Sequence, residues 1–317
     1  MGDKSVKALA NTALATALSV IIAIIGLFVP VLALASLLWP VPVIVVVKRY
    51  GLRYGIYSTI ASGLIVGMVS EPIYAAYVIL SYGALGLSIG YGVQKGYTAG
   101  KTLVITSIVS LVSKLMLMYA VTRLMGVNPL EAQIESMGKG LELSMEFYDR
   151  MGVNVPEEMK EALMSSFELL KVMLPALLIM VALMDSYLNY TVARIVLRRL
   201  DLRLEPLPPF AEWRAPGHLA IGFLLLMLLS FVGGYFGLGN MDVVLGNILL
   251  LFQMVFLVQG LSVAYYFLSR KGVNKLVRVL LIIFILFNQP LAMAAMLAGV
   301  LDVVLDIRKR FSRDGGN

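Results

Sequence analysis

Two ionisable side chains stand inside long apolar runs: Lys114, within SLVSKLMLM, and Asp185, within ALMDSYL. Charged groups in hydrocarbon are rare and costly, and they either pair with one another or mark a substrate or ion pathway. Each lies near the middle of its run. The two runs are expected to be antiparallel helices joined on one side of a membrane, which brings both charges to comparable depth. The spacing therefore predicts a Lys114–Asp185 ion pair. Asn189, four residues beyond Asp185, falls on the same helix face and is placed to complete the network. Such a pair is either a clamp between helices, a known specificity device, or part of a substrate or proton site. Secondary polar candidates are Glu71, Tyr74, Asn247 and Gln253. Gln259, the Asn288–Gln289 turn and Asp302 join them, although amides in spans commonly tie helices together without any ligand. Tyr74, Tyr77 and Tyr82 are candidates either to line a cavity or to pack at a bundle interface.

Catalytic chemistry has little material to work with. The absence of cysteine removes disulfides, thiolate catalysis and cysteine-bound metals together. The single histidine, His218, has no neighbouring ligand set, so neither a zinc site nor a His-based triad can be assembled. No GxxxxGK[ST] loop is present, which excludes an ATPase of the P-loop kind. Asp185 and Asp302 are expected at different depths, which argues against an aspartyl dyad. The expectation is a protein that is not an enzyme and uses no cofactor or metal.

The elements that carry these residues are set by composition. Of 317 residues, 60% are apolar or aromatic and 14% charged, with a mean hydropathy of +0.88. A soluble domain is roughly 45–50% apolar and about 25% charged, so the chain is read as an all-α, polytopic membrane protein. Long continuous runs without two-residue alternation favour helices over a barrel. Candidate spans are 8–29, 31–47, 55–70, 73–94, 101–125, 172–197, 217–236, 243–268, 276–288 and 291–307. Pro30, Glu71–Pro72 and the Asn288–Gln289–Pro290 turn separate neighbouring pairs. With the N-terminus inside, most of the 26 basic residues fall in cytoplasmic loops, as the positive-inside rule requires. This predicts about ten spans, N-in and C-in, in the plasma membrane. The net charge of +7 then reads as a topology signal with attraction to anionic lipid, and no nucleic acid is needed to explain it.

Residues 1–125 are expected to form a five-span part, completed by a sixth span at 172–197. Residues 217–317 are expected to form a four-span bundle with a basic tail. Between the fifth and sixth spans, 126–171 is acidic and carries Leu130, Ile134, Met137, Leu141, Met145 and Tyr148 at helical spacing. It reads as an extracytoplasmic helical hairpin, lying over the mouth of the bundle or resting on lipid. Asn154 is placed to cap the second helix, which runs directly into the sixth span and is kinked at Pro175. The connector 198–216 mixes four prolines with Phe210 and Trp213 among basic residues, a composition suited to interfacial anchoring or to docking a partner. Gly63 and Gly67, with Gly86 and Gly90, give two spacings that allow close helix approach.

Three blocks carry a resemblance: LNYTVARIVLRRL followed by PLPPFAEWRAP, then VQGLSVAYYFLSRKG, and the ending LDVVLDIRKRF. They resemble the YybS-like family of bacterial multi-pass membrane proteins, a domain of unknown function (2232), and the likeness covers nearly the whole chain. Family members are distantly similar, over six spans, to the substrate-binding S components of energy-coupling-factor transporters and to the rod-shape membrane protein MreD. The first similarity implies a small-molecule ligand and a membrane coupling protein with its ATPase. The S-component docking pattern AxxxA is matched by Ala13 and Ala17, and Arg198, Arg199 and Trp213 are the candidates for partner docking on the connector. The second similarity implies a scaffold or regulator of envelope processes. A binding or transport component is the leading expectation, and the outer hairpin and four additional spans depart from the S-component plan.

Overall fold

The computed structural model describes residues 2–29, 37–153 and 156–313, and among them all regular structure is helical. In chain order the helices are α1 (Gly2–Phe28), α2 (Pro40–Tyr50), α3 (Leu52–Val69) and α4 (Pro72–Tyr77). A π-helical turn, Val78–Gly83, joins α4 to α5 (Ala84–Lys95). Then come α6 (Ala99–Met125), α7 (Pro129–Arg150) and α8 (Glu157–Arg199). A short 3-10 turn, Phe210–Glu212, precedes α9 (Gly217–Tyr235), α10 (Met241–Arg270), α11 (Lys275–Phe287), α12 (Gln289–Leu305) and α13 (Ile307–Arg313).

Local chemistry sets the boundaries. The Asn128, Asn274 and Asn288 side chains accept from main-chain N–H groups in the first turns of α7, α11 and α12, satisfying donors that a helix start leaves open. Gly96 and Gly126 stop α5 and α6 in left-handed conformations, as helix C-termini prefer. Residues 30–36, with Pro30, and Asn154 lie outside the described residues; Pro156 immediately precedes α8.

Among the described residues, seven helices are long and apolar enough to cross a membrane: the α1, α3, α6, α9 and α10 segments, the α4–α5 span, and Leu169–Arg199 of α8. The α11–α12 pair, bent by 104°, raises the number to eight if counted as one broken span. The expected span at 31–47 lies partly outside the described residues; its described part enters α2, and the expected span at 276–288 corresponds to α11. These helices have 11 and 13 residues, about 16 and 20 Å at 1.5 Å per residue. The hydrocarbon layer is about 30 Å thick. Pro40 and Pro42 confine the start of α2, Gly51 (φ 99°) ends it, and the Asn288–Pro290 turn ends α11. As expected, α8 continues from the hairpin into its span without a loop, with Pro175 inside it.

The chain divides into two compact units, one of Met1–Lys171 with Leu177–Leu207, the other of Val172–Ala176 with Pro208–Asn317. The division falls inside the 198–216 connector rather than at its ends. In the first unit α2 is buried on almost every side, against α1, α3 and α5. Glycines make this fit: a Cβ on Gly55 or Gly90 would collide with Val47, and one on Gly86 would crowd Val43 and the Pro40 carbonyl. Gly63 and Gly67 accept Ala75 and Ile79 in the same way, so both small-residue spacings are used. In the second unit α10 and α12 touch at Gly260 and Gly299, where a side chain would run into the Ala295 or Phe256 carbonyl.

Polarity is inverted relative to a soluble protein. The buried face of α6 is Thr102, Thr106, Ser107, Ser110 and Ser113 beside Ala99, whereas Val104, Ile108 and Val112 face outward.

Candidate functional site

The charges on α6 and α8 meet. Lys114 Nζ lies 2.6 Å from Asp185 Oδ2 and donates to Ser110 Oγ at 2.7 Å; the two side chains are 16% and 32% exposed. Lys114 therefore stands at the end of the α6 hydroxyl stripe. Asn189 does not join the pair: its amide donates to the Asp185 main-chain carbonyl at 2.8 Å. Its Oδ1 has no partner among the described residues, although the residue is 1% exposed. The physical reason is helical geometry, since a short amide at i+4 reaches the carbonyl of residue i more readily than its side chain.

A cavity of about 220 Å³ opens in the first unit, lined by Ala23, Gly26, Leu27, Trp39, Val66, Tyr74, Tyr77, Val78 and Tyr82. The last turns of α1, the end of α3 and the start of the α4–α5 span supply this wall. Tyr77 and Tyr82 pack edge to face with centroids 5.4 Å apart, and Trp39 lies 5.8 Å from Tyr82. The π-helical turn matters here. Its hydrogen bonds reach from i to i+5, so residues five apart stack on one side, whereas an α-helix at 3.6 residues per turn would rotate them well apart. Tyr77 and Tyr82 thus share one wall, and Tyr77 is also within electrostatic reach of Asp185. Tyr74 and Tyr77 are 36% and 42% exposed, which marks the open side of the cavity.

The second unit holds a site that the sequence reading passed over. Arg308, in the basic C-terminal tail, is 4% exposed. Asp306 adopts a left-handed conformation (φ 53°) after α12, and the chain turns so that Arg308 folds back onto Asp302. Its Nη2 donates to Asp302 Oδ2 at 2.7 Å and to the Trp213 carbonyl at 2.7 Å. Nη1 donates to the Ala211 carbonyl at 2.6 Å and to Ser262 Oγ at 3.2 Å, and Nε to Asp302 Oδ2 at 3.0 Å. These five bonds use every guanidinium donor. Gln259 extends the network, donating to Asp302 Oδ2 at 2.7 Å and accepting from the Ala215 N–H at 2.8 Å. Ser262 donates to the Phe210 carbonyl at 2.7 Å. Nearby, Lys309 and then Arg214 hold the Asp306 carboxyl below the usual carboxylate range.

The remaining candidates are dispersed. Asn247 accepts from the Ala176 N–H and donates to the Val172 carbonyl, both at 2.9 Å. Those are the donor and acceptor that a regular helix pairs with each other, so Asn247 clips the backbone beside Pro175 rather than lining a pocket. Glu71 is an exposed residue preceding α4 without a capping bond, and Gln253 is exposed on α10. Ala13 and Ala17 are exposed on α1, beside buried Thr12 and Thr16, and Arg198 and Arg199 are exposed at the end of α8. The Trp213 indole, a candidate for docking or anchoring, donates to the Pro208 carbonyl at 2.9 Å and packs on Phe210. The Trp213 carbonyl is taken by Arg308. The first half of the connector is likewise engaged, since Tyr190 Oη donates to the Glu205 carbonyl at 2.7 Å and the Ala99 N–H to the Glu205 carboxylate. On α7 the apolar stripe buries only Ile134, and Lys160 of α8 reaches Asp149 at 3.9 Å. Among the described residues no group of three metal-ligating side chains gathers.

The α6 hydroxyls and Arg308 were legible only in part. Hydroxyls at 102, 106, 110 and 113 have helical spacing inside an apolar run, a signal that singles out a buried polar face. Trp39, at the edge of α2, carried no such signal.

The sequence profile of a family described as "Predicted membrane protein (DUF2232)" matches residues 17–303. The uncharacterized protein YybS of Bacillus subtilis (strain 168) is 24% identical over 320 residues, covering 97% of this chain and 99% of that protein. No solved structure matches the chain.

Proposed function

The chain belongs to the DUF2232 family of predicted membrane proteins, and we propose that it is a small-molecule binding or transport component of the plasma membrane, oriented with its N-terminus inside. The aromatic cavity of the first unit carries this reading. Ligand sites are concave and mostly apolar, with a few placed polar groups, and this cavity combines four aromatic rings with an opening at Tyr74 and Tyr77. At about 220 Å³ it is smaller than the usual range of roughly 300–1,000 Å³, so it suits a compact ligand. Asp185 of the Lys114–Asp185 pair is within electrostatic reach of Tyr77 and offers a polar element for coupling. The chain acts by binding rather than by chemistry, and any ATP-driven step belongs to a partner, for which exposed Ala13 and Ala17 on α1 offer a close-packing face.

The test is native mass spectrometry of the protein released from nanodiscs, for the parent and for Val66→Phe, which fills the cavity wall. A bound species on the parent that is lost in the folded variant supports the reading; the same species on both places it elsewhere. A second reading, a scaffold, is favoured by one observation: the connector is fixed by Glu205 at one end and Arg308 at the other, beside exposed Arg198 and Arg199.

A further inference from the structure

We infer that the cavity takes a flat, uncharged ring compound bearing a hydrogen-bond acceptor, and that this acceptor is received by the Trp39 indole N–H; the inference rests on the binding reading above and names its ligand class. Three features lead to it. First, among the described residues no Asp, Glu, Lys, Arg or His lines the cavity, so an ionised ligand would bury its charge without a partner, which is strongly disfavoured. Second, Trp39, Tyr77 and Tyr82 meet at tilted and edge-to-face angles. A ring entering among them finds both faces and edges, the arrangements that aromatic pairs prefer.

Third, Trp39 is 1% exposed and its Nε1 has no acceptor among the described residues. An indole N–H is a donor only, and buried ones usually find a partner. The chain's other tryptophan follows that rule, since Trp213 Nε1 donates to the Pro208 carbonyl at 2.9 Å. The unmatched donor therefore belongs to a residue in the wall of a cavity shaped to receive a ligand. Aromatic walls also attract cations. Here Asp185, the carboxylate within electrostatic reach of Tyr77, is already paired with Lys114 at 2.6 Å, and the indole N–H would repel a cation.

The probes that test this share a two-ring shape. Quinoline carries an acceptor, naphthalene lacks it, and N-methylquinolinium replaces it with a positive charge. Saturable binding to the full chain in nanodiscs is measured by equilibrium dialysis, with empty nanodiscs subtracted. In the parent, quinoline should bind more tightly than either other probe. Trp39→Phe keeps an aromatic ring and removes the donor; it should weaken quinoline about fivefold, the worth of one ordinary hydrogen bond, and leave naphthalene within about twofold. Equal binding of quinoline and naphthalene to the parent, or tighter binding of N-methylquinolinium, overturns the inference and needs no variant. A parallel loss of both neutral probes in Trp39→Phe also overturns it, since ring packing alone would then explain the site. If no probe saturates above the empty nanodiscs, the binding reading itself falls as well.

Discussion

Two ion pairs, one in each unit, show how differently a membrane protein can treat an internal charge. Lys114–Asp185 is partly open, and Lys114 has one further partner, Ser110. Arg308–Asp302 is closed: the side chains are 4% and 1% exposed, and all guanidinium donors are spent on a carboxylate, a hydroxyl and two main-chain carbonyls. A pair with no remaining donor or access has nothing to offer a ligand. It can only hold the segments that its carbonyls belong to, here Ala211 and Trp213. A pair with exposed edges, within electrostatic reach of a cavity tyrosine, retains the capacity to exchange partners. Saturation, rather than the presence of charge, separates a clamp from a candidate site.

The contrast can be broken by substitution. Arg308→Met should cost about 3–5 kcal/mol of stability, the usual price of leaving one half of a buried pair uncompensated, read as a large drop in the thermal unfolding midpoint. Arg308→Lys should recover only a minor part, because an ammonium cannot reproduce a planar five-donor fork. A loss below about 1 kcal/mol for Arg308→Met would remove the clamp. Lys114→Met should cost less, about 2 kcal/mol, since one charged partner and one hydroxyl are lost. The double variant Lys114→Met/Asp185→Leu should return to within about 1 kcal/mol of the parent. If Lys114→Met proves as damaging as Arg308→Met, the two pairs are the same kind of device.

The smallest effect concerns pH. Asp306 has its folded-state carboxyl lowered by Lys309 and Arg214, so its contribution is fully present above the unfolded value of 3.8 and fades as pH falls through the lower folded value. Hydrogen exchange of the α13 amides should therefore be flat from neutral pH to about 4 and rise only below it. A rise already between pH 6 and 5, well above the usual carboxylate range, would show that Asp306 does not hold this segment.

What the sequence made legible follows from short-range rules. Depth matching brought Lys114 and Asp185 together, because two helices of known direction leave little freedom. Pro175 and the uninterrupted apolar pattern gave the long α8, and glycine spacing gave the close approaches of α3 and α5. Hydropathy reports that residues are apolar, not how long the helix through them runs, so among the described residues seven or eight candidate spans stand against the expected ten, with α2 and α11 short. The Arg308 network was missed because its partners, Ala211 and Trp213, lie on a connector some 95 residues away in sequence, and no local pattern records such a meeting. Asn247 was singled out as a buried polar group, yet its role depends on a backbone irregularity at Pro175 in another helix.

The π-helical turn at Val78–Gly83 sets the rotational phase between the two halves of its span. Ahead of it, tyrosines face the cavity; after it, Gly86 and Gly90 face α2. Rewinding the same six residues as a regular α-helix would swing one half by about 100° against the other, because the wider turn absorbs one surplus residue, so that either the ring wall or the glycine seat would be lost. The segment thus behaves as a vernier between cavity wall and packing face, and its winding matters more than the identity of any single residue within it.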